Sequence, residues 1–338
     1  MIREAIQSVV AGHSLTVKEA SSVMEEIMQG EATPAQIGAF ITALVIKGET
    51  VDEIVGMART MRAKAVRVFS TEQVVDTCGT GGDGLHTFNI STAAAFVAAG
   101  AGLKVAKHGN RAMSSKCGSA DVLEASGVKI DMDAQQVQRC LQEVGIGFMF
   151  APAFHPAMKY AAAPRREIGM RTVFNILGPL TNPAGVGAQV LGVAQKSLAG
   201  KMARVLQVLG CHHALVVHGK DGLDEITITG ETAVCELRDG IITNYSINPE
   251  DFGLSTARLD SLRGGTVDEN AALLCEILAG TQGPQRDVVL MNAAAVLLAG
   301  DKVETLQQGI ASAGEAIDDG HALLKLEQLI KFSQSFTQ

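Results

Sequence analysis

The sequence predicts an α/β fold with a mostly parallel central sheet flanked by helices, preceded by a small N-terminal helical domain. Three observations lead there. Residues 1–66 carry helix signals and no strand pattern, and from about residue 72 short β-branched runs alternate with alanine-rich helical stretches. The 338-residue chain is also 47% hydrophobic, 19% charged and only 4% aromatic, enough for a substantial core shared between two domains.

Within residues 1–66, Thr16 with Glu19 and Thr50 with Glu53 have capping-box spacing, and Thr33-Pro34 reads as an N-cap followed by proline in the first turn. The runs EQVVDTC (72–78), LKVAKHG (103–109), IGFMF (146–150), AQVLGV (188–193) and ALVVH (214–218) read as strands. Their alternation with helical stretches such as STAAAFVAAGAG (91–102) implies parallel pairing. Residues 155–180 interrupt the alternation with a helical pattern that ends at Pro179 and Pro183, and can return to the helical domain. An acidic turn, the β-type run ITIT (226–229) and a strand-rich stretch (232–247) follow, and helices dominate from Glu269. The expected division is a helical domain of residues 1–66, joined by helices from about 155–180, and an α/β domain of residues 72–154 and 181–338.

Cys78, Cys117, Cys140, Cys211, Cys235 and Cys275 form no CxxC pair and have no metal-ligand spacing, and the N-terminus has no charged-then-apolar segment. Reduced thiols in a cytoplasmic protein are therefore expected. No apolar run reaches the roughly 20 residues of a membrane-spanning helix. The net charge of −8 argues against a general nucleic-acid surface, while a local basic cluster can still bind a small anion.

Such a cluster accompanies DTCGTGGDGLHTFNIST (76–92). Gly79, Gly81 and Gly84 have the dinucleotide-binding spacing G-x-G-x-x-G, but the acidic residue that would hold a ribose about 20 positions on is missing, since no Asp or Glu occurs between Gly84 and Ala120. Lys104, Lys107, Arg111 and Lys116 supply cations there instead, with His108 as a further candidate. Gly79, Gly81 and Gly82 let backbone amides approach an anion, and Asn89-Ile90-Ser91-Thr92 opens a helix with N–H and hydroxyl donors. A second turn, KHGNRAMSSKCGSAD (107–121), adds Gly109, Asn110, Ser114, Ser115 and Ser119. No GK[ST] follows the first glycine run, so neither turn is a Walker loop. A plain tight turn beside a solvated basic face is the alternative.

Asp221, Asp224 and Glu225 crowd one turn, where adjacent carboxylates repel unless a cation neutralises them; Mg2+ fits if the turn faces phosphate. An exposed acidic turn is the competing reading. Arg165, Arg166 and Arg171 are candidates to hold a substrate carboxylate, and His155 and His108 are candidate bases. His212 and His213 are expected to flank a strand.

The motifs GTGGD (79–83), FNIST (88–92), KHGNR (107–111), GSADVLE (118–124), FAPAFHPAMK (150–159), RTVFNILGPLTNP (171–183) and GLDEI (222–226) occur in one order along essentially the whole chain. In that order and spacing the sequence resembles the anthranilate phosphoribosyltransferases of tryptophan biosynthesis. The resemblance implies a ligand cleft between the two domains and a homodimer through the small domain, and leaves association with anthranilate synthase open. It implies transfer of the phosphoribosyl group of 5-phosphoribosyl 1-diphosphate (PRPP) to the amine of anthranilate, with two Mg2+ per monomer and neither nucleic acid nor membrane as partner. Anthranilate's amine is neutral near pH 7, so no residue is expected to act as general acid or base; charge stabilisation and alignment carry the reaction.

Position by position, the resemblance places Gly79, Gly82, Asp83, Thr87, Asn89, Ile90, Ser91, Thr92, Lys107, His108, Gly109, Asn110, Arg111, Ala112, Met113, Ser114, Ser115 and Ser119 around PRPP. It places Gly79, Asn110 and Arg165 at anthranilate, and Ser91, Asp224 and Glu225 at the metal. Cys117 departs from the small hydroxyl residue, usually Ser, expected in the second loop. Two other classes stay in view: a nucleoside phosphorylase, which needs phosphate and no metal pair, and a non-catalytic nucleic-acid-binding relative. Asp224-Glu225 with KHGNR opposes the first, and the acidic charge balance the second.

Overall fold

Threonines start the N-terminal helices. The structure, a computed structural model, describes residues 1–112 and 116–336. Helices α1 (Ile2–Val10), α2 (Val17–Gln29), α3 (Pro34–Lys47) and α4 (Val51–Lys64) form the small helical domain. Thr16, Thr33 and Thr50 each accept a hydrogen bond from the backbone N–H of Glu19, Gln36 and Glu53, whose side chains accept the threonine N–H in return. Glu53 does more than cap: fully buried, it also accepts from Leu15 N–H (3.0 Å) and Lys47 Nζ (2.9 Å), fastening the turn before α2 onto α4.

The sheet consists of β1 (Val75–Gly79), β2 (Val105–Gly109), β3 (Ile146–Phe150), β4 (Ala188–Gly192), β5 (His213–Gly219), β6 (Thr232–Arg238) and β7 (Ile241–Ile247), in the order β3-β2-β1-β4-β5-β6-β7. Strands β1 to β5 are parallel, and β6 and β7 add an antiparallel hairpin at one edge. The remaining helices are α5 (Ile90–Gly100), α6 (Ser119–Ala125), α7 (Ala134–Glu143), α8 (Ala151–Phe154), α9 (Lys159–Ile168), α10 (Val173–Leu177), α11 (Lys196–Val208), α12 (Val267–Leu278), α13 (Pro284–Ala299), α14 (Leu306–Asp318) and α15 (His321–Gln334).

Each face of the sheet has its own apolar core. Helices α5 and α13, buried nearly all round, pack on one face with side chains of α12, α14 and α15. On the other, Met202 and Leu206 of α11 and the sheet residues Leu191 and Val216 join Met24, Phe40, Ile54 and Met57 of the helical domain. Ala161 of α9 and Val173, Phe174 and Leu177 of α10 belong to this second core, so the 155–180 segment does return to the N-terminal helices.

One expected strand is absent. ITIT lies in irregular structure because Asp221 Oδ2 accepts from Thr227 Oγ1 (2.7 Å) and Thr229 Oγ1 (2.6 Å), and Thr227 N–H donates to Thr232 Oγ1 (3.0 Å). Side chains have taken the bonds that a ladder would need. Strands β1 and β4 are neighbours, yet the chain leaves β1 toward β2 on one side and β4 toward β5 on the other. The connections that leave their carboxyl ends therefore diverge, and open α/β sheets bind ligands in the crevice at such a position.

Candidate active site

The glycine loop starts at that crevice. Gly79 ends β1 and Gly192 ends β4, and a Cβ on either would overlap Asp224, which comes from the loop after β5. Gly81 N–H donates to Asp224 Oδ2 (2.6 Å), and Ser91 N–H, in the first turn of α5, donates to Glu225 Oε1 (3.2 Å). The acidic pair thus reaches both the loop and the helix N-terminus, whereas Asp221 is turned into its own loop. Buried Lys107 extends from β2 and donates to Thr77 O (2.8 Å) and Ser91 Oγ (3.4 Å).

Burial, followed by the neighbouring carboxylates of Glu225 and Asp83, pushes the Asp224 pKa well up, and burial pushes Glu225 up to about 7 against the pull of Lys107. Mg2+ fits this pair, with Ser91 Oγ as a further oxygen donor. Among the described residues no group of three or more His, Cys, Asp or Glu side chains is arranged to hold a metal. Asn89 Nδ2 donates to Cys117 O (3.1 Å), leaving Asn89 Oδ1 buried without a partner, as is Thr92 Oγ1. The first can accept from a sugar hydroxyl and the second can donate to phosphate.

The basic cluster is dispersed. Lys104 lies just before the amino end of β2, at the opposite edge of the sheet from the crevice, and donates to Leu141 O and Gln142 O (3.0 Å each). Arg111 pairs with Asp121 (2.9 Å) and Glu124 (2.7 Å) of α6, and Lys116 is exposed. Lys107 is thus the member of the cluster that reaches Ser91. His108, next along β2, packs against His155 with ring centroids 5.2 Å apart. Burial lowers the His108 pKa to about 3, helped by His155, and that of His155 to about 4, so both are neutral, weak bases at pH 7.

Other positions complete the two loops. Asp83 Oδ1 accepts from Leu85 N–H (3.2 Å), Thr87 bridges to Arg263, and Ile90 is buried in the core. Ser119 Oγ donates to Asn110 O (3.4 Å), and a Cβ on Gly109 would overlap that hydroxyl. Ala112 N–H donates to Asp121 Oδ2 (3.0 Å), and Met113, Ser114 and Ser115 lie outside the described residues. The three candidate arginines are not equivalent. Arg165, half-buried on α9, stacks on Phe174 at 5.1 Å; Arg166 is exposed; Arg171 donates from Nη2 to Thr80 O (3.3 Å) on the glycine loop.

Sequence reasoning missed Asp76. Fully buried, it accepts from Thr77 N–H (2.8 Å), His108 N–H (3.3 Å) and Asn182 Nδ2 (2.7 Å), tying β1 and β2 together beside Lys107. An acid inside the strand run VVDTC was the available signal.

Residues 71–323 match the family described as "Glycosyl transferase family, a/b domain", and residues 3–65 its "helical bundle domain". The chain is 61% identical to the anthranilate phosphoribosyltransferase of Chloroflexus aurantiacus over 335 residues, covering 98% of this chain and 99% of that protein. The crystal structure of the Thermus thermophilus anthranilate phosphoribosyltransferase superposes with a TM-score of 0.93 at 44% identity, covering 98% of this chain and 99% of that one. The Saccharomyces cerevisiae enzyme superposes in its complex with PRPP and Mg (TM-score 0.91, 29% identity) and in its complex with 4-fluoroanthranilate (0.89, 27%), each covering 99% of this chain and 98% of that one. Two phosphate-type turns and an acidic pair at the switch point, in a chain that these relatives match from end to end, place it in a family: the chain belongs to the anthranilate phosphoribosyltransferases.

Proposed function

We propose that the chain transfers the 5-phosphoribosyl group of PRPP to the amine of anthranilate, giving N-(5-phosphoribosyl)anthranilate and diphosphate, a step of L-tryptophan biosynthesis. The observation that carries this reading is the convergence of the glycine loop, the α5 N-terminus, Lys107 and the Asp224-Glu225 pair on one crevice. Gly79, Gly82, Asp83, Thr87, the 89–92 turn and the 107–119 loop hold PRPP, and Asn110 and Arg165 hold anthranilate. Ser91, Asp224 and Glu225 hold two Mg2+ per monomer, which neutralise charge on the diphosphate when bound.

The nitrogen lone pair forms the bond to C1′ while the C1′–O bond breaks and its electrons leave with diphosphate; the surplus proton on nitrogen passes to water. Neutral, weakly basic His108 and His155 support a reaction without a dedicated base. We further propose residues 1–66 with about 155–180 as one domain, residues 72–154 and 181–338 as the other, and substrates in the cleft between them. Homodimerisation through the small domain and a cytoplasmic location belong to the same reading, which leaves association with anthranilate synthase open; among the described residues no helix is long and apolar enough to cross a membrane.

Loss of anthranilate fluorescence on adding PRPP and Mg2+ tests the reaction. Asp224→Asn or Glu225→Gln should move the Mg2+ dependence to higher concentration with folding preserved, since each removes charge at nearly constant volume. Phosphate-dependent nucleoside cleavage in place of fluorescence loss would refute the assignment, and Mg2+ curves that overlay the parent's would refute the metal site.

A further inference from the structure

Arg171 lies in the turn between α9 and α10, on chain that packs with the helical domain, yet its guanidinium rests on the glycine loop of the α/β domain. Gly82 has φ 76°, and a Cβ there would overlap Arg171 Nη1, so guanidinium and loop backbone are in direct contact. Among the described residues its one hydrogen bond is Nη2 to Thr80 O (3.3 Å) and it has no ion pair, and it is exposed. Other arginines near this seam have other partners: Arg62 donates to Leu180 O and Leu209 O, Arg111 pairs with two carboxylates, and Arg165, over the Phe174 ring, is assigned above to anthranilate. A single long bond to a carbonyl is little reason to hold a cation against a loop of glycines. The Asp224 carboxylate already occupies the Gly81 amide, so the loop presents a negative group on one side and an underused planar cation on the other.

We infer that Arg171 is a catalytic residue that contacts the departing diphosphate, its free N–H donors meeting the charge that develops as the C1′–O electron pair leaves. This rests on the phosphoribosyl transfer proposed above. A planar fork of donors matches phosphate oxygens and strengthens as their charge grows, so its contribution falls on the transition state more than on substrate binding.

The test compares Arg171→Gln and Arg171→Lys with the parent by calorimetric binding of magnesium diphosphate and by steady-state kinetics with each substrate varied. Arg171→Gln should weaken diphosphate binding and lower kcat about a hundredfold, as loss of one preorganised donor does. Arg171→Lys should recover part of both, and the anthranilate KM should not move. Diphosphate binding and PRPP kinetics equal to the parent's would overturn the inference. So would a proportional loss for both substrates with a lowered Tm, which marks a structural contact. A parent protein that binds no diphosphate at all would instead overturn the functional reading on which this rests.

Discussion

Arg165, proposed above to hold anthranilate, is half-buried with its guanidinium over the Phe174 ring. Burial lowers its pKa, and the guanidinium carbon lies 5.1 Å from the centre of the Phe174 ring, within cation–π range. Hydrogen bonds to charged groups contribute about 1.5–3 kcal/mol, so Arg165→Ala should raise the anthranilate KM roughly ten- to a hundredfold. The PRPP KM should change far less, and kinetics with each substrate varied separately decides; an unchanged anthranilate KM removes Arg165 from the acceptor site. At this scale legibility followed sequence distance. GTGGD and FNIST could be read because their chemistry is local, in backbone amides and the first turn of a helix. The carboxylates paired with Arg111, Asp121 and Glu124, lie on the next helix, so its ion pairs could not be read from the loop alone. Lys104 and Lys107 differ by only three positions, but Lys104 precedes β2 while Lys107 is its middle residue and reaches Ser91, and spacing alone gives no hint of which one meets the crevice.

Elements in this protein are joined by small polar clamps. At the start of β5, buried His213 bonds Asp301 through Nδ1 (2.9 Å) and Glu236 of β6 through Nε2 (3.0 Å), while Tyr245 of β7 donates to Glu236 (2.8 Å). His212 (3.4 Å) and Arg238 (3.9 Å) also face Asp301, whose φ of 54° is unusual for a residue other than glycine. Burial pulls the His213 pKa down, but the two carboxylates outweigh it and hold the imidazole above its ordinary value, while Glu236 and Asp301 are lowered. A raised histidine contributes stability that is complete below its unfolded pKa of 6.5 and is lost as pH rises through the folded value. His213→Gln should therefore cost about 2 kcal/mol near pH 6 and less near pH 9, measured by urea unfolding at both. Equal costs at the two pH values would mean that the imidazole is neutral throughout. The sequence placed His213 beside a strand and offered nothing about the clamp, because Asp301 arrives from the far side of α13. Helix starts were legible because a threonine and its partner three residues on settle them locally; strand order was not, since it depends on which apolar faces meet.

For the whole molecule, the open question is what covers the helical domain. Val10 of α1 is 72% exposed and Ile46 of α3 is 82% exposed, positions at which a monomer leaves apolar surface to water. Sedimentation should give a homodimer at micromolar concentration, and Ile46→Glu should shift it toward monomer; a parent that sediments strictly as a monomer refutes the dimer. The return of residues 155–180 to the N-terminal helices has a further consequence, during synthesis. The first four helices leave the ribosome early, but Val173, Phe174 and Leu177, which join their core, are translated more than a hundred residues later, and Met202, Leu206 and Val216 of the same core later still. At ordinary elongation rates that gap is on the order of ten seconds. For that interval the N-terminal helices of the nascent chain lack the apolar partners that cover their inner face in the finished fold.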